Sequence, residues 1–147
     1  MNPIIKNILA IILGGIVGSL VNMGLVNLGN LLLPINGVDP NDLDELAKVM
    51  PTLSYEYFLF PFLAHALGTL TGALVAGLIA ANRKMTYAIG IGILFLIGGI
   101  AVNFILPGPA GFAFIDIIFA YIPMAWLGGR IAEKLSIKNN NSKTINV

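Results

Sequence analysis

The chain has 147 residues, of which 57% are hydrophobic and 10% are charged, and its formal net charge is +1. Eight basic and seven acidic side chains are too few to cover the surface of a water-soluble protein of this size. This composition excludes a soluble enzyme, a disordered chain and a nucleic-acid-binding protein, because the last needs a basic surface. The absence of cysteine excludes a disulfide scaffold and thiol chemistry. The sequence therefore predicts an integral membrane protein, surrounded by the lipid bilayer.

Four apolar runs are long enough to cross a bilayer, which needs about 20 mostly apolar residues in a helix. The runs do not alternate between apolar and polar residues, so helices fit them better than strands. The predicted fold is an all-α bundle of four transmembrane helices in a single domain, residues 1–135, followed by a disordered tail at 136–147. The predicted spans are residues 8–33, 57–82, 85–106 and 112–131.

The connection between the first two spans, residues 34–56, contains a signal for a short amphipathic helix on the outer surface. Asp39 is a candidate N-cap and Pro40 fits the first helical position. Pro51 ends the pattern. The acidic residues of this loop do not have the spacing of a calcium-binding EF-hand loop, so a solvated polar face is the preferred interpretation. The apolar positions at helical spacing are Leu43, Leu46, Ala47 and Met50.

The basic residues predict how the chain is oriented. Seven of the eight lie on one side of the four spans, and the opposite side receives five acidic residues and only Lys48. The positive-inside rule then places both termini in the cytoplasm of the cell and the acidic loop outside. We expect a multi-pass protein of the bacterial inner membrane. The seven basic residues are Lys6, Arg83, Lys84, Arg130, Lys134, Lys138 and Lys143.

Small residues in the spans predict which helices pack closely. Apolar helices have no hydrophobic reason to associate in lipid, so close contact depends on glycine, alanine and similar residues. The second span carries such residues at every fourth position and is therefore expected at the centre of the bundle. The first span carries Gly14 and Gly18 at the same spacing, and the stripe of the second span comprises Ala64, Gly68, Gly72, Ala76 and Ala80.

Two ionisable residues, His65 and Asp116, lie inside the predicted spans. Such residues are costly in a bilayer and are functional candidates for that reason. Both helices run inward from the outer side, and at 1.5 Å per residue the two side chains differ in depth by about 6 Å, which is within reach if the helices are neighbours. We expect a polar pocket that opens outward. The candidate residues are His65, Asp116, Asn22, Asn103, Thr69 and Tyr121.

Two interpretations of these polar residues remain open. The pocket could bind a small polar solute or relay protons, because histidine side chains titrate near neutrality. Alternatively, His65 and the asparagines only hydrogen-bond neighbouring helices, and Asp116 reaches water or caps a helix. In addition, Pro123 lies in the middle of the fourth span, where a proline can kink a helix.

The sequence shows no motif that indicates an enzyme. Ser19 beside Gly18 lacks the second glycine of a nucleophile elbow, and one histidine does not form a metal site. We therefore predict no catalytic residue, no metal and no cofactor. The predicted function is binding or transport of a small polar solute or protons, with a homo-oligomer as the expected form. The alternative is an accessory subunit that stabilises a larger membrane complex through the stripe of the second span.

Two stretches, residues 60–73 (FPFLAHALGTLTGA) and residues 120–129 (AYIPMAWLGG), resemble small four-helix membrane proteins of bacteria. The resemblance extends over most of the chain up to Ala132. It implies the four-helix fold, and it brings no activity, ligand or site residue with it.

Overall fold

The computed structural model describes residues 2–109 and 111–145, with the surroundings of side chains up to residue 137. Within these ranges the chain forms helices and connecting turns, without strands. Two short 3-10 helices, Met50–Thr52 and Tyr55–Phe58, join the loop after the first span to the second span. The α-helices are α1 (Pro3–Leu32), α2 (Leu43–Val49), α3 (Leu59–Ile79), α4 (Lys84–Ile105), α5 (Phe112–Phe119) and α6 (Ile122–Ile145).

Four helical stretches are long and apolar enough to cross a membrane, which confirms the predicted all-α class with four spans. The first begins earlier than predicted because Asn2 caps it: the Asn2 side chain accepts the N–H of Ile4 at 2.8 Å, and Pro3 occupies the first helical position. The stretches are Pro3–Leu32, Tyr55–Ile79, Lys84–Ile105 and Phe112–Ile137.

Helix α3 lies at the centre of the bundle and packs against α1, α4 and α6. Its closest neighbour is α1, and glycines on both helices allow the backbones to touch. A Cβ added to Gly14 would lie 2.6 Å from the carbonyl oxygen of Gly72, and one added to Gly18 would lie 2.7 Å from that of Gly68. No side chain fits at these distances, so the α1–α3 seam requires glycine. All five small residues of the α3 stripe are buried: Ala64, Gly68, Gly72, Ala76 and Ala80.

One end of the bundle, the basic end, is closed by polar contacts between α1 and the α3–α4 turn. The Asn7 side chain accepts the N–H of Ala81 at 2.9 Å and donates to Asn82 at 3.2 Å. Lys84 donates to the carbonyl oxygens of Gly77 and Ala80 at 2.9 and 3.1 Å, which satisfies acceptors that the end of α3 leaves free. The basic end holds Lys6, Arg83, Lys84, Arg130 and Lys134.

The opposite end, the acidic end, carries the loop with α2. Here the predicted cap is wrong: Asp42, not Asp39, begins the helix. The Asp42 carboxylate accepts the N–H groups of Asp44 and Glu45, both at 3.0 Å. Asp39 instead accepts the N–H of Asn41 at 2.8 Å, which makes a turn of its own before the helix. Because an N-cap residue needs an extended backbone, Asp42, at φ −89° and ψ 99°, takes that role.

The fourth span is divided into α5 and α6 at Ala120 and Tyr121. The sequence predicts a kink at Pro123, and the structure restarts the helix so that Pro123 lies in the first turn of α6, where its missing N–H leaves no hydrogen bond unmade. Helix α6 then continues to Ile145, past residue 135, because no proline or glycine follows Gly129 to end it. In the region of the predicted tail the described backbone is helical up to Ile145, and residues 146–147 lie outside the described ranges. The disorder of the tail stays a prediction.

The α1–α3 seam gives a direct test with two adjacent glycines. Gly14→Ala should destabilise the protein by about 1–3 kcal/mol, because the new methyl group overlaps backbone atoms of α3. Gly15→Ala is the matched control: no atom lies within 4 Å of its added Cβ, and alanine favours a helix over glycine. The measurement is thermal unfolding in detergent. Equal melting temperatures for the two variants would contradict the close seam.

Candidate functional site

The candidate site is built from two of the helices and from the break in the fourth span. His65 lies in the second turn of α3, Asp116 lies in α5, and Tyr121 lies at the junction between α5 and α6. In a continuous helix, residues five positions apart point about 140° away from each other. The break after Phe119 removes this restriction and lets the side chains of Asp116 and Tyr121 meet.

The three side chains form one hydrogen-bonded chain. Nδ1 of His65 lies 2.9 Å from each carboxylate oxygen of Asp116, and the hydroxyl group of Tyr121 donates to Oδ2 of Asp116 at 2.9 Å. Asp116 has no exposed surface and Tyr121 is 1% exposed. The side chain of His65 is 16% exposed. The carboxylate is therefore sealed inside the protein, and the imidazole lies between it and open space.

Helix α4 makes room for this arrangement at Gly99. A Cβ on Gly99 would overlap the hydroxyl group of Tyr121, so only glycine allows Tyr121 to reach Asp116. One turn further along α4, the Asn103 side-chain amide donates to the Gly99 carbonyl oxygen at 3.0 Å. The Gly-x-x-x-Asn spacing of α4 thus places a space for Tyr121 and an amide side chain on the same face.

The carboxylate determines what His65 offers to its surroundings. An ionised carboxylate only accepts hydrogen bonds, so Nδ1 of a neutral imidazole must carry the hydrogen that points to Asp116. Nε2 is then an acceptor, and it has no partner among the described residues. A buried carboxylate that orients a histidine in this way fixes the tautomer and leaves the other nitrogen available to a ligand or a proton.

His65 lines a cavity of about 330 Å³ at the acidic end of the bundle. Asn22 of α1 and Asn103 of α4 line it together with His65, and these three provide polar groups from three different helices. Most of the remaining wall is apolar, including Phe58, Phe60 and Phe112. A cavity of this size is at the lower end of the range for small-molecule sites, which combine apolar walls with a few polar groups.

The six candidate pocket residues fall into three groups. His65, Asp116 and Tyr121 are joined by hydrogen bonds, and Asn22 and Asn103 share the cavity with His65. Thr69 is different: it is completely buried, it does not line the cavity, and its hydroxyl group has no hydrogen-bond partner in the described part of the chain.

The sequence did not predict that helix α2 lines the cavity. The cavity is lined by Leu43 and Leu46 of α2 and by the following Met50, so the apolar face of α2 turns toward the bundle. The signal for this was the amphipathic spacing, from which a helix on the outer surface is predicted. Periodicity shows that a helix has an apolar face, and it does not show what that face contacts.

A metal centre is not formed by the residues that the structure describes. Nowhere in them do three or more histidine or carboxylate side chains come close enough to hold a metal ion. Asp116 and His65 are two possible ligands, but the other side chain that is hydrogen-bonded to Asp116 is the hydroxyl group of Tyr121. The three side chains are joined to one another by hydrogen bonds.

The fold and the site define an all-helical protein with four helices able to span a membrane and a cavity that holds one oriented histidine. Comparisons with protein-family models, with curated proteins and with solved structures find no match to the chain. What the protein does must therefore be argued from the site itself.

The tautomer of His65 can be measured directly, because the chain contains one histidine. In protein labelled with ¹⁵N-histidine and kept at alkaline pH, where the imidazole is neutral, we expect hydrogen on Nδ1 and none on Nε2. Asp116→Asn should shift the population toward the opposite tautomer, because an asparagine can donate to Nδ1. Tyr121→Phe is the control, since it leaves the contact between Nδ1 and the carboxylate in place. A wild-type protein with hydrogen on Nε2 would contradict the arrangement.

Proposed function

We propose that the protein is a multi-pass membrane protein that binds a small molecule in the cavity at its acidic end, with His65 as the principal polar contact. One observation carries the proposal: a completely buried carboxylate holds His65 by Nδ1, and the same side chain lines the cavity, which leaves its other ring nitrogen for a ligand. A histidine that only joined two helices would not need to line a cavity of about 330 Å³. Membrane proteins retain a costly internal carboxylate mainly where it has such a use.

The distribution of charge supports an orientation for the cavity. The basic end would face the cytoplasm, with both termini there, and the acidic end would face outward. In a bacterium this places the protein in the inner membrane, and a ligand would enter from the outer side. Transport of the ligand would require the cavity to open toward the basic end as well, where Asn7 and Lys84 hold the helix ends together.

Two further predictions from the sequence rank below this proposal. A homo-oligomer stays a prediction. The accessory-subunit alternative depended on the stripe of α3, and within this chain the stripe is covered by α1 at Gly14 and Gly18. Because the polar residues also meet inside one copy of the chain, we place small-molecule binding ahead of a purely structural role.

The proposal is tested by purifying the protein from native membranes and identifying the small molecules it retains. We expect a compound in the wild-type protein at a near-equal molar amount, reduced about tenfold or more in His65→Ala, because a lost hydrogen bond in a buried site weakens binding by this order. Mass spectrometry of solvent extracts gives the measurement. Thermal unfolding of each variant shows that it is folded.

Two asparagines of α1 provide a matched control. Asn22 lines the cavity, whereas Asn27, five residues further on, is exposed and does not. Asn22→Ala should lower the amount of the retained compound and Asn27→Ala should not. The proposal fails if folded wild-type protein retains no compound above the level of empty membrane, or if His65→Ala retains as much as the wild type.

A further inference from the structure

The cavity wall carries almost no charge of its own. Among the residues that the structure describes, its lining contains no lysine, arginine, aspartate or glutamate, and its titratable side chains are His65 and Tyr57. The elements around His65 contribute uncharged groups, such as Asn22 from α1, Asn103 from α4 and Leu46 from α2. The charge that matters is therefore Asp116, which lies directly behind His65 with no exposed surface.

The contacts of the Asp116 side chain are those that an ionised carboxylate can make. His65 and the Tyr121 hydroxyl both approach its oxygens at 2.9 Å, and an ionised carboxylate can accept both hydrogen bonds. A buried negative charge needs a positive partner. No basic side chain lines the cavity or contacts Asp116 in the described residues, so the positive charge must be a proton on His65 or a charge carried by an occupant.

The surface around the cavity also favours positive charge. Helix α2 lines the cavity with Leu43 and Leu46 and carries Asp44 and Glu45 in its first turn. The loop as a whole has five acidic residues and one basic residue. Such a surface raises the local concentration of cations and lowers that of anions.

We propose, on the basis of the binding function above, that the occupant is a monovalent organic cation: a protonated amine with a small apolar body. Its N–H group donates to Nε2 of His65, and its apolar part contacts the aromatic wall. The empty cavity keeps a proton on Nε2, and this proton leaves to water when the amine binds. One positive charge enters as one leaves, so the charge beside Asp116 stays balanced.

Three probes separate the requirements for charge and for an N–H donor. Benzylammonium has both, benzyl alcohol has a donor without charge, and benzyltrimethylammonium has charge without a donor. Binding is measured by calorimetry on protein in phosphatidylcholine nanodiscs, with empty nanodiscs to correct for partitioning into lipid. Repeating the titration in buffers of different ionisation enthalpy gives the number of protons released.

We expect benzylammonium to bind at least about tenfold more tightly than either other probe, with release of about one proton. Because proton and amine compete for one nitrogen, the affinity should rise with pH, by up to about tenfold per pH unit while His65 is protonated in the empty cavity. Equal binding of benzyl alcohol, binding without proton release, or an affinity independent of pH would each overturn the inference.

Asp116→Asn tests the source of the preference, because it removes the charge and keeps the size of the side chain. We expect this variant to bind benzylammonium and benzyl alcohol equally. Glu133→Gln is the matched control: it makes the same change in net charge on α6, beside Arg130 at the basic end, and should leave the preference intact. Retention of the preference in folded Asp116→Asn would contradict the proposal. The wild-type pH series decides the matter if the variant does not fold.

The result also separates this inference from the proposed function. Suppose that none of the probes binds and that native protein still retains a compound, which His65→Ala loses. The proposed organic cation is then wrong, and the proposed binding function stands. If no probe binds and no compound is retained, both proposals fall.

Discussion

One carboxylate without exposed surface constrains much of this structure. Asp116 lies within a membrane-spanning segment, where an unpaired charge costs several kcal/mol. It is supported by a donor from α3 and another from the start of α6, and Gly99 of α4 is the residue that makes space for the second donor. Three helices and the break in the fourth span are therefore positioned around a single side chain. A shift of any of them would leave a polar group unpaired in an apolar interior.

The remainder of the bundle is rigid where the site needs support. From the basic end to Gly68, α1 and α3 pack backbone against backbone, and their relative position is fixed by contacts that no flexible side chain can relax. His65 lies one turn beyond that seam on α3, and Asn22 lies one turn beyond it on α1. The seam thus ends where the cavity begins, and it holds two of the polar side chains of the cavity at a defined separation.

The sequence was sufficient for features that depend on length, composition and depth. Four apolar runs of the right length determine the spans, and similar depth in two helices that run in the same direction allows His65 and Asp116 to meet. It was insufficient for features that depend on local competition between backbone conformations. Asp39 and Asp42 are equally good caps by residue type, and only the turn at Asn41 decides between them. Likewise, Pro123 indicates a disturbance in the helix without showing that the break turns Tyr121 toward Asp116.

The separation of charge between the two ends has a consequence for the site as well as for orientation. A cavity inside a bilayer that attracts cations could carry acidic residues in its wall, but each would be costly in the empty state. Here the acidic residues lie in the loop, where they are exposed, and the one buried carboxylate lies behind His65. In the proposed binding of an amine, the histidine holds a proton when the cavity is empty and releases it when the amine binds. One ring would therefore let a single buried charge remain paired in both states.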